Sequence, residues 1–237
     1  MTYLVTGANR GLGLELVREG ARHNIKIIAA CRSGGEALSA LAREYPDLIR
    51  IISMDVADTG SVERACREIA GIYPNLNGFI NNAGVLYGSK FDTRDPITAI
   101  DIDEAGDTFN INVLGTIRVM KYFMPLVYAA GEDRCIVNVS SDGAVLRDHG
   151  HVYASYSASK AALNAYTQRM RNYLASQPDK ADIRVYLIHP GKMLTAMGKE
   201  IGEVRPSESA AGIWDIVFNR KDLNASIPFY DYHGKLI

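Results

Sequence analysis

The feature that most constrains the fold is a glycine-rich turn close to the start of the chain. A short apolar segment leads directly into TGANRGLG at residues 6–13, and a segment of helical period follows. Glycines let the backbone approach a pyrophosphate closely, and a helix N-terminus supplies free N–H groups with a partial positive charge. The order strand, glycine turn, helix is typical of dinucleotide-binding sheets, although a turn that merely needs small residues stays open. The candidate phosphate-binding residues are Gly7, Asn9, Arg10, Gly11, Leu12 and Gly13.

The rest of the chain alternates apolar runs with amphipathic segments. Candidate strands begin at Tyr3, Ile25, Leu48, Leu76, Cys135 and Ile183, and a short last strand lies near Ala225 to Phe229. Segments of helical spacing run from Leu12 to His23, Glu36 to Glu44, Ser61 to Ile72, Asp103 to Tyr128 and Ala154 to Ser176. This alternation predicts an α/β protein. We expect a single doubly wound Rossmann domain over residues 1–237, with a seven-stranded, mostly parallel sheet, helices on both faces and chemistry at the carboxyl ends of the strands.

Composition excludes several other classes of function. The net charge is −1, so there is no electrostatic case for binding nucleic acid or an anionic membrane. The three cysteines, Cys31, Cys66 and Cys135, are widely spaced, which argues against a disulfide framework or a zinc site. The first nine residues contain no basic side chain, and no apolar run is long enough to span a bilayer. These features favour a cytoplasmic protein without a metal.

Motifs beyond the first turn identify a family. The TGxxxGxG spacing of the turn resembles the short-chain dehydrogenase/reductase family, and motifs at the later strand ends agree with it. These are Asn81-Asn82-Ala83-Gly84, Asn112 within NVLG, Ser140-Ser141, Tyr156 with Lys160 as YxxxK, and Pro190-Gly191 followed by Thr195. The tail PFYDYHGKLI resembles the carbonyl-reductase-like subgroup that includes the sniffer and C-factor proteins.

The resemblance implies a set of site residues. The catalytic residues that it implies are Asn112, Ser141, Tyr156 and Lys160. Beyond the glycine turn, it implies cofactor contacts from Asp55, Val56, Asn82, Ala83, Gly84, Tyr156, Lys160, Pro190, Gly191 and Thr195. Asp55 would lie beside the adenine, with a backbone contact from Val56. The alternative for Asp55 is a cap of the next helix, which Asp58 or Thr59 could also provide.

The spacing of Tyr156 and Lys160 has a chemical reason. Four residues apart, they share one face of a helix. A free tyrosine has a pKa near 10, and general acid/base work near neutrality needs a pKa about three units lower, or ~4 kcal/mol. One cation at about 4 Å supplies roughly that energy at an effective dielectric constant of 20. Lys160 can be that cation.

Ser141 and Asn112 complete the implied catalytic group. A serine hydroxyl would hold the substrate carbonyl and stabilise charge on its oxygen. Ser140 competes for this role, and the resemblance favours Ser141, because the family's catalytic serine stands directly before the loop. By resemblance, Asn112 binds a water that passes protons toward Lys160. An amide that caps or kinks its own helix is a compatible alternative.

Two arginines favour NADP(H) over NAD(H). NAD-binding Rossmann sites carry Asp or Glu at the end of the second strand, but this strand ends in Cys31-Arg32-Ser33. Arg32 and Ser33 suit a 2′-phosphate instead. Arg10 opposes the helix dipole from within the glycine turn, and a bound anion would remove that conflict. Either arginine alone could also be plain solvated surface.

The expected function is NADPH-dependent reduction of a ketone or aldehyde, or the reverse oxidation. The alternative is an NADP-binding regulatory or signalling protein with little turnover. We expect a small-molecule carbonyl substrate and a homodimer or homotetramer. By resemblance, the segments 142–153 and 192–206 form the substrate pocket, and His149 and His151 could contact the substrate or be solvated.

Overall fold

The computed structural model describes residues 1–87, 95, 97–146, 153–195, 197, 202–219 and 222–237. Within these parts of the chain, seven strands form one sheet in the order β3-β2-β1-β4-β5-β6-β7. The strands are β1 Thr2–Thr6, β2 Lys26–Cys31, β3 Ile49–Ser53, β4 Gly78–Asn81, β5 Cys135–Val139, β6 Arg184–His189 and β7 Phe229–Asp231. Each neighbouring pair is parallel. This confirms the predicted Rossmann-type sheet, although β7 begins at the end of the segment predicted for it.

Seven α-helices connect the described strands. They are α1 Gly11–Arg22, α2 Glu36–Glu44, α3 Thr59–Ala70, α4 Ile102–Phe109, α5 Thr116–Tyr128, α6 Ala154–Ala175 and α7 Pro206–Phe218. The sequence analysis did not predict α7, because this helix is apolar on most of its surface and so lacks a clear amphipathic period. It also predicted one helix over 103–128, whereas a π-helical turn, Asn110–Gly115, separates α4 from α5.

Two apolar clusters sandwich the sheet. One packs α1, α2 and α7 against one face, and Trp214 of α7 lies at its centre with no exposed surface. The indole N–H of Trp214 donates to the Leu16 carbonyl at 2.9 Å. The other cluster contains Val62 of α3 and Phe123 of α5 on the opposite face. Helices on both faces confirm the doubly wound architecture, and they leave the carboxyl ends of the strands as the accessible edge.

In the described part of the chain, no helix combines the length and apolarity needed to cross a membrane.

Candidate active site

The glycine turn between β1 and α1 has the conformation and the close packing that require glycine. Gly7 and Gly11 have φ angles of +66° and +55°, in the left-handed region. A Cβ atom at Gly13 would lie 2.1 Å from the Gly7 carbonyl oxygen, so even alanine cannot fit without a backbone shift. The first helical turn therefore packs directly on the loop.

Asn82 joins this turn to the end of β4. Its side-chain amide donates to the carbonyls of Thr6 and Gly7, at 2.9 and 3.3 Å. In return, the Thr6 hydroxyl accepts the N–H groups of Asn82 and Ala83, at 3.1 and 3.0 Å. β1 and β4 are neighbours where the strand order reverses, which is where open α/β sheets bind their ligands. The NNAG motif is thus one wall of the crevice and also a brace for the glycine turn.

A cleft of about 560 Å³ follows this edge of the sheet. Its walls include most of the residues that the motifs predicted for the cofactor, together with Tyr156 and Lys160. The predicted residues that line it are Gly7, Asn9, Arg10, Gly11, Leu12, Gly13, Arg32, Asp55, Val56, Asn82, Ala83, Gly84, Tyr156, Lys160, Pro190 and Thr195. The sequence analysis had not assigned several others to the cofactor, among them Met54, Val85, Ile111 and Val139, because each looks like an ordinary core residue in the sequence.

Two cations lie at one end of the cleft. Arg10 and Arg32 are both exposed and line it together with Ser33. The Asn9 side chain donates to the Ser33 carbonyl at 3.3 Å and so ties the glycine turn to the end of β2. Among the described residues, neither guanidinium has a carboxylate within ion-pair distance. Their positive charge is therefore available to an anion in the cleft.

The turn after β3 forms the wall at Asp55 and Val56. The Asp55 carboxylate accepts the N–H of Ala57 at 2.9 Å, which closes a tight local turn. The cap of α3 is Asp58, whose side chain accepts the Gly60 N–H at 2.9 Å. The helix-capping alternative for Asp55 is therefore wrong, and its carboxylate remains at the cleft.

Asn112 lies in the π-helical turn and is almost fully buried. Its carbonyl oxygen accepts the Val85 N–H at 2.8 Å, and its amide donates to the Val85 carbonyl at 3.0 Å and to the Ser159 hydroxyl at 3.0 Å. A Cβ atom at Gly84 would lie 3.1 Å from the Asn112 side chain and 3.7 Å from the Lys160 ammonium. Asn112 thus fixes the segment after the NNAG motif against α6, beside the lysine.

Tyr156 and Lys160 share the face of α6 that borders the cleft. The Lys160 ammonium donates to the Val139 carbonyl at 2.8 Å and lies 5.7 Å from the centroid of the Tyr156 ring. The Ser141 hydroxyl neighbours the phenol of Tyr156 and acts to lower its pKa. Tyrosine, serine and lysine side chains therefore meet at the carboxyl end of β5.

The structure separates the two adjacent serines. Ser140 contributes to the wall of the cleft, but its hydroxyl donates to the Asn164 side chain at 2.6 Å. Ser141 begins a short 3₁₀ turn, where its hydroxyl accepts the Gly143 N–H at 3.2 Å and lies 3.2 Å from an Asp142 carboxylate oxygen. Of the two hydroxyls, that of Ser141 is the one beside Tyr156.

The pKa of Tyr156 departs from the prediction. It is raised to about 12, mainly by burial and also by the Asp142 carboxylate, against the lowering effect of the hydrogen bond with Ser141. Burial also lowers the pKa of Lys160 to about 8. The predicted downward shift is therefore wrong for the protein's own groups, because burial dominates the pKa of the phenol and the Lys160 ammonium is directed at a backbone carbonyl. In the protein alone, Tyr156 is therefore protonated at neutral pH.

The loop after β6 completes the cleft. Gly191 has a φ angle of +82°, and a Cβ atom there would contact the side chains of Val204 and Tyr232. Thr195 approaches the glycine turn, since a Cβ atom at Gly11 would lie 3.4 Å from its methyl group. His149 and His151 lie outside the described residues. No group of three or more potential metal ligands occurs in the described ranges.

The sequence analysis missed one neighbour of the serine. His189 ends β6, and its Nδ1 atom accepts the Asp142 N–H at 3.2 Å. Burial lowers the pKa of His189, which favours the neutral imidazole that this hydrogen bond requires. In the sequence, His189 is recognisable only as the residue directly before Pro190-Gly191. The pairing of β5 with β6 is what places it beside the serine loop.

The strand order, the glycine turn at the crevice and the polar groups after β4 and β5 define a dinucleotide-binding Rossmann fold. Comparison with known proteins agrees. Residues 1–206 match the family model of the short chain dehydrogenases. The chain is 34% identical over 199 residues to the short chain dehydrogenase tazN of Aspergillus terreus, which covers 81% of this chain but 41% of that protein.

Solved structures give the same result over the whole chain. A carbonyl reductase from chicken fatty liver with bound NADPH superposes with a TM-score of 0.86 at 25% identity, covering 100% of this chain and 98% of that one. The carbonyl reductase Sniffer of Drosophila melanogaster also gives 0.86, at 29% identity and the same coverage. The chain belongs to the short-chain dehydrogenase family, whose members are oxidoreductases that use a nicotinamide cofactor. This confirms the family predicted from the motifs.

Proposed function

We propose that this protein reduces a ketone or aldehyde with NADPH, and that Tyr156 donates the proton. The observation that carries the proposal is the junction of Tyr156, Ser141 and Lys160 at the same edge of the sheet as the glycine turn. A proton donor and a dinucleotide cradle must share one cleft if a carbonyl group is to receive both a hydride and a proton. The regulatory alternative does not require this constellation.

The cleft fits a dinucleotide. Gly7 and Gly13 leave no room for side chains where the backbone would approach the pyrophosphate, and the N-terminus of α1 adds N–H donors. Asp55 and the Val56 backbone would hold the adenine, and Thr195 and Lys160 would hold the nicotinamide half. When bound, the reduced cofactor supplies a hydride. The choice of NADP(H) rests on Arg10 and Arg32, and it is supported by the NADPH bound to the chicken relative.

The protein's own residues have separate tasks in this mechanism. The Ser141 hydroxyl orients the substrate carbonyl and stabilises charge that grows on its oxygen. Tyr156 transfers its proton to that oxygen. Tyr156 is protonated at neutral pH, and it gives up its proton as negative charge develops on the carbonyl oxygen. The Lys160 ammonium stabilises the phenolate that remains, and Asn112 keeps the backbone beside the lysine in place.

The substrate end of the cleft is apolar. Met193, Leu194 and Met197 line it, and the last two are about half exposed, at 52% and 45%. We propose a substrate with a sizeable apolar group next to its carbonyl. We also keep the homodimer or homotetramer through α5 and α6 as a proposal, which light scattering of the purified chain tests.

The test is a panel of aromatic and aliphatic ketones, diketones and aldehydes, assayed by the loss of NADPH absorbance. At least one apolar carbonyl compound should be reduced, and Tyr156→Phe should abolish that reduction. Binding of NADPH with no turnover on any member of the panel would support the regulatory alternative. Turnover with NADH but not with NADPH would overturn the cofactor assignment and leave the tyrosine mechanism standing.

A further inference from the structure

Arg118 of α5 bridges two parts of the active site without lining the cleft. Its Nη1 atom donates to the carbonyls of Val56 and Asn110, at 3.0 and 3.2 Å. Its Nη2 atom donates to the Asn110 side chain at 2.8 Å, and its Nε atom donates to the Thr59 hydroxyl at 2.9 Å. Every nitrogen of the guanidinium is thus engaged by a neutral oxygen. Among the described residues, no carboxylate pairs with it.

One end of this bridge holds the proposed adenine wall. The Val56 carbonyl accepts a hydrogen bond from Arg118, and one carboxylate oxygen of Asp55 accepts the Ala57 N–H. These bonds fix the turn so that the other carboxylate oxygen of Asp55 and the Val56 N–H remain for a ligand. Gly115 also packs against Val56, since a Cβ atom at Gly115 would approach the Val56 side chain to 3.0 Å.

The other end holds the first residue of the π-helical turn. Asn110 starts that turn, and its amide also donates to the Ala57 carbonyl at 3.4 Å. Asn112 lies in the same turn and holds Val85 beside Lys160. A π turn is a rare departure from the α-helix that is often found at functional sites, and contacts from outside the helix can support it. Arg118 and Asn110 supply that support from the adenine side.

We propose that Arg118 is a positioning residue that couples the adenine wall to the π turn carrying Asn112. It acts through Val56 and Asn110 rather than by touching cofactor or substrate. A planar fork with several donors suits this task, because a lysine ammonium cannot reach the same set of oxygens at once. The inference rests on the proposed function, since it requires the adenine half of NADP(H) to bind at Asp55 and Val56.

The experiment measures both ends of the bridge in Arg118→Ala, Arg118→Lys and Asn110→Ala. Adenosine 2′,5′-bisphosphate, the adenine half of NADP, reports on the adenine wall by its Kd. Turnover at saturating NADPH and carbonyl substrate reports on the π turn. We expect Arg118→Ala to raise that Kd by about threefold to thirtyfold and to lower kcat by about tenfold. Arg118→Lys and Asn110→Ala should show smaller losses in both. Methylguanidinium added to Arg118→Ala should restore part of the affinity for the bisphosphate and part of kcat.

Arg171→Ala is the matched control. Arg171 also donates from a helix to two backbone carbonyls, those of Ala225 and Ser226, but none of these residues lines the cleft. It should leave both the Kd and kcat unchanged, so a general loss of stability cannot imitate the result. A parent that binds the bisphosphate while the Arg118 variants bind and turn over like the parent overturns this inference alone. If the Arg118 variants change only the Kd or only kcat, the proposed coupling is overturned. A parent that does not bind the bisphosphate overturns the proposed cofactor and this inference with it.

Discussion

The ammonium of Lys160 donates a 2.8 Å hydrogen bond to the carbonyl oxygen of Val139, the last residue of β5. Only 4% of the lysine is exposed, and burial lowers its pKa to about 8. The folded protein therefore keeps a cation where its charged form is disfavoured. Such a position is typical of a side chain that is retained for chemistry rather than for stability.

Lys160→Met should make the protein more stable while removing its turnover. In the parent the lysine pKa falls from 10.5 in the unfolded chain to about 8, so below pH 8 folding carries a cost of up to about 3 kcal/mol. Methionine removes that cost but leaves one carbonyl without its donor, so we expect a net gain of about 2 kcal/mol at pH 7.

The stability gained by Lys160→Met should decrease as the pH rises. Between pH 8 and 10.5 the unfolded parent binds more protons than the folded one, so the stability of the parent rises through this window. The advantage of Lys160→Met should therefore be largest below pH 8 and should close as the pH approaches 10.5. Urea unfolding of both proteins across this range checks it, and a variant less stable than the parent at pH 7 would contradict it.

Tyr156→Phe should lower kcat by about 100-fold or more, because general acid catalysis is lost, while the Kd for NADPH changes little. The ring remains, so the packing of α6 is preserved. Tyr173→Phe is the matched control, since Tyr173 is a half-exposed tyrosine of the same helix, 52% accessible and remote from the cleft. The comparison is made by single-turnover kinetics with a carbonyl compound that the parent protein reduces. Near-parental rates in Tyr156→Phe would show that the proton comes from elsewhere.

Arg32→Ala should weaken NADPH binding by about tenfold to a hundredfold and leave NADH almost unaffected. Charge-assisted hydrogen bonds to a phosphate are worth about 1.5–3 kcal/mol, and NADH lacks the 2′-phosphate. Higher salt should also weaken NADPH more than NADH in the parent. Calorimetric Kd values for both cofactors test this, with Arg43→Ala as the control, an exposed arginine on the following helix. Equal losses for both cofactors would mean that Arg32 supports the loop instead.

Gly13→Ala and Gly106→Ala should have opposite effects on stability. The Cβ atom at Gly13 would lie 2.1 Å from the Gly7 carbonyl, so the turn must move at a cost of about 1–3 kcal/mol, and NADPH binding should be lost. Gly106 lies within α4 with nothing within 4 Å of its Cβ position, so alanine should stabilise the helix by about 0.5–1 kcal/mol. The Tm values of the two variants, measured by thermal unfolding, test this prediction. Similar Tm values for both would argue against the close packing of α1 on the turn.

The sequence predicted the sheet and the glycine turn well because their signals are local. Strands buried on both faces appear as apolar runs, and the glycine turn after β1 requires residues that no other packing explains. The predicted bounds of α2 match the structure, and those of α6 differ by one residue at its end. In contrast, α7 was missed, because its near-uniform apolarity removes the helical period.

Features between the motifs depended on the tertiary structure. The predicted helix over 103–128 divides at Asn110–Gly115, since Asn112 must reach Val85 on one side and Ser159 on the other. The distinction between Ser140 and Ser141 likewise depends on which neighbour each hydroxyl meets across the fold. The family resemblance favoured Ser141, but the residue type alone could not separate two adjacent serines.

The sequence by itself determined the fold family and the residues that gather at one edge of the sheet, because short motifs at strand ends must meet there once the strands run parallel. Only the tertiary structure decided their electrostatics. The pKa of Tyr156 moved up rather than down, since burial and the Asp142 carboxylate act on it from other parts of the chain. Desolvation depends on everything packed around a group, and the four-residue spacing of a tyrosine and a lysine contains none of that information.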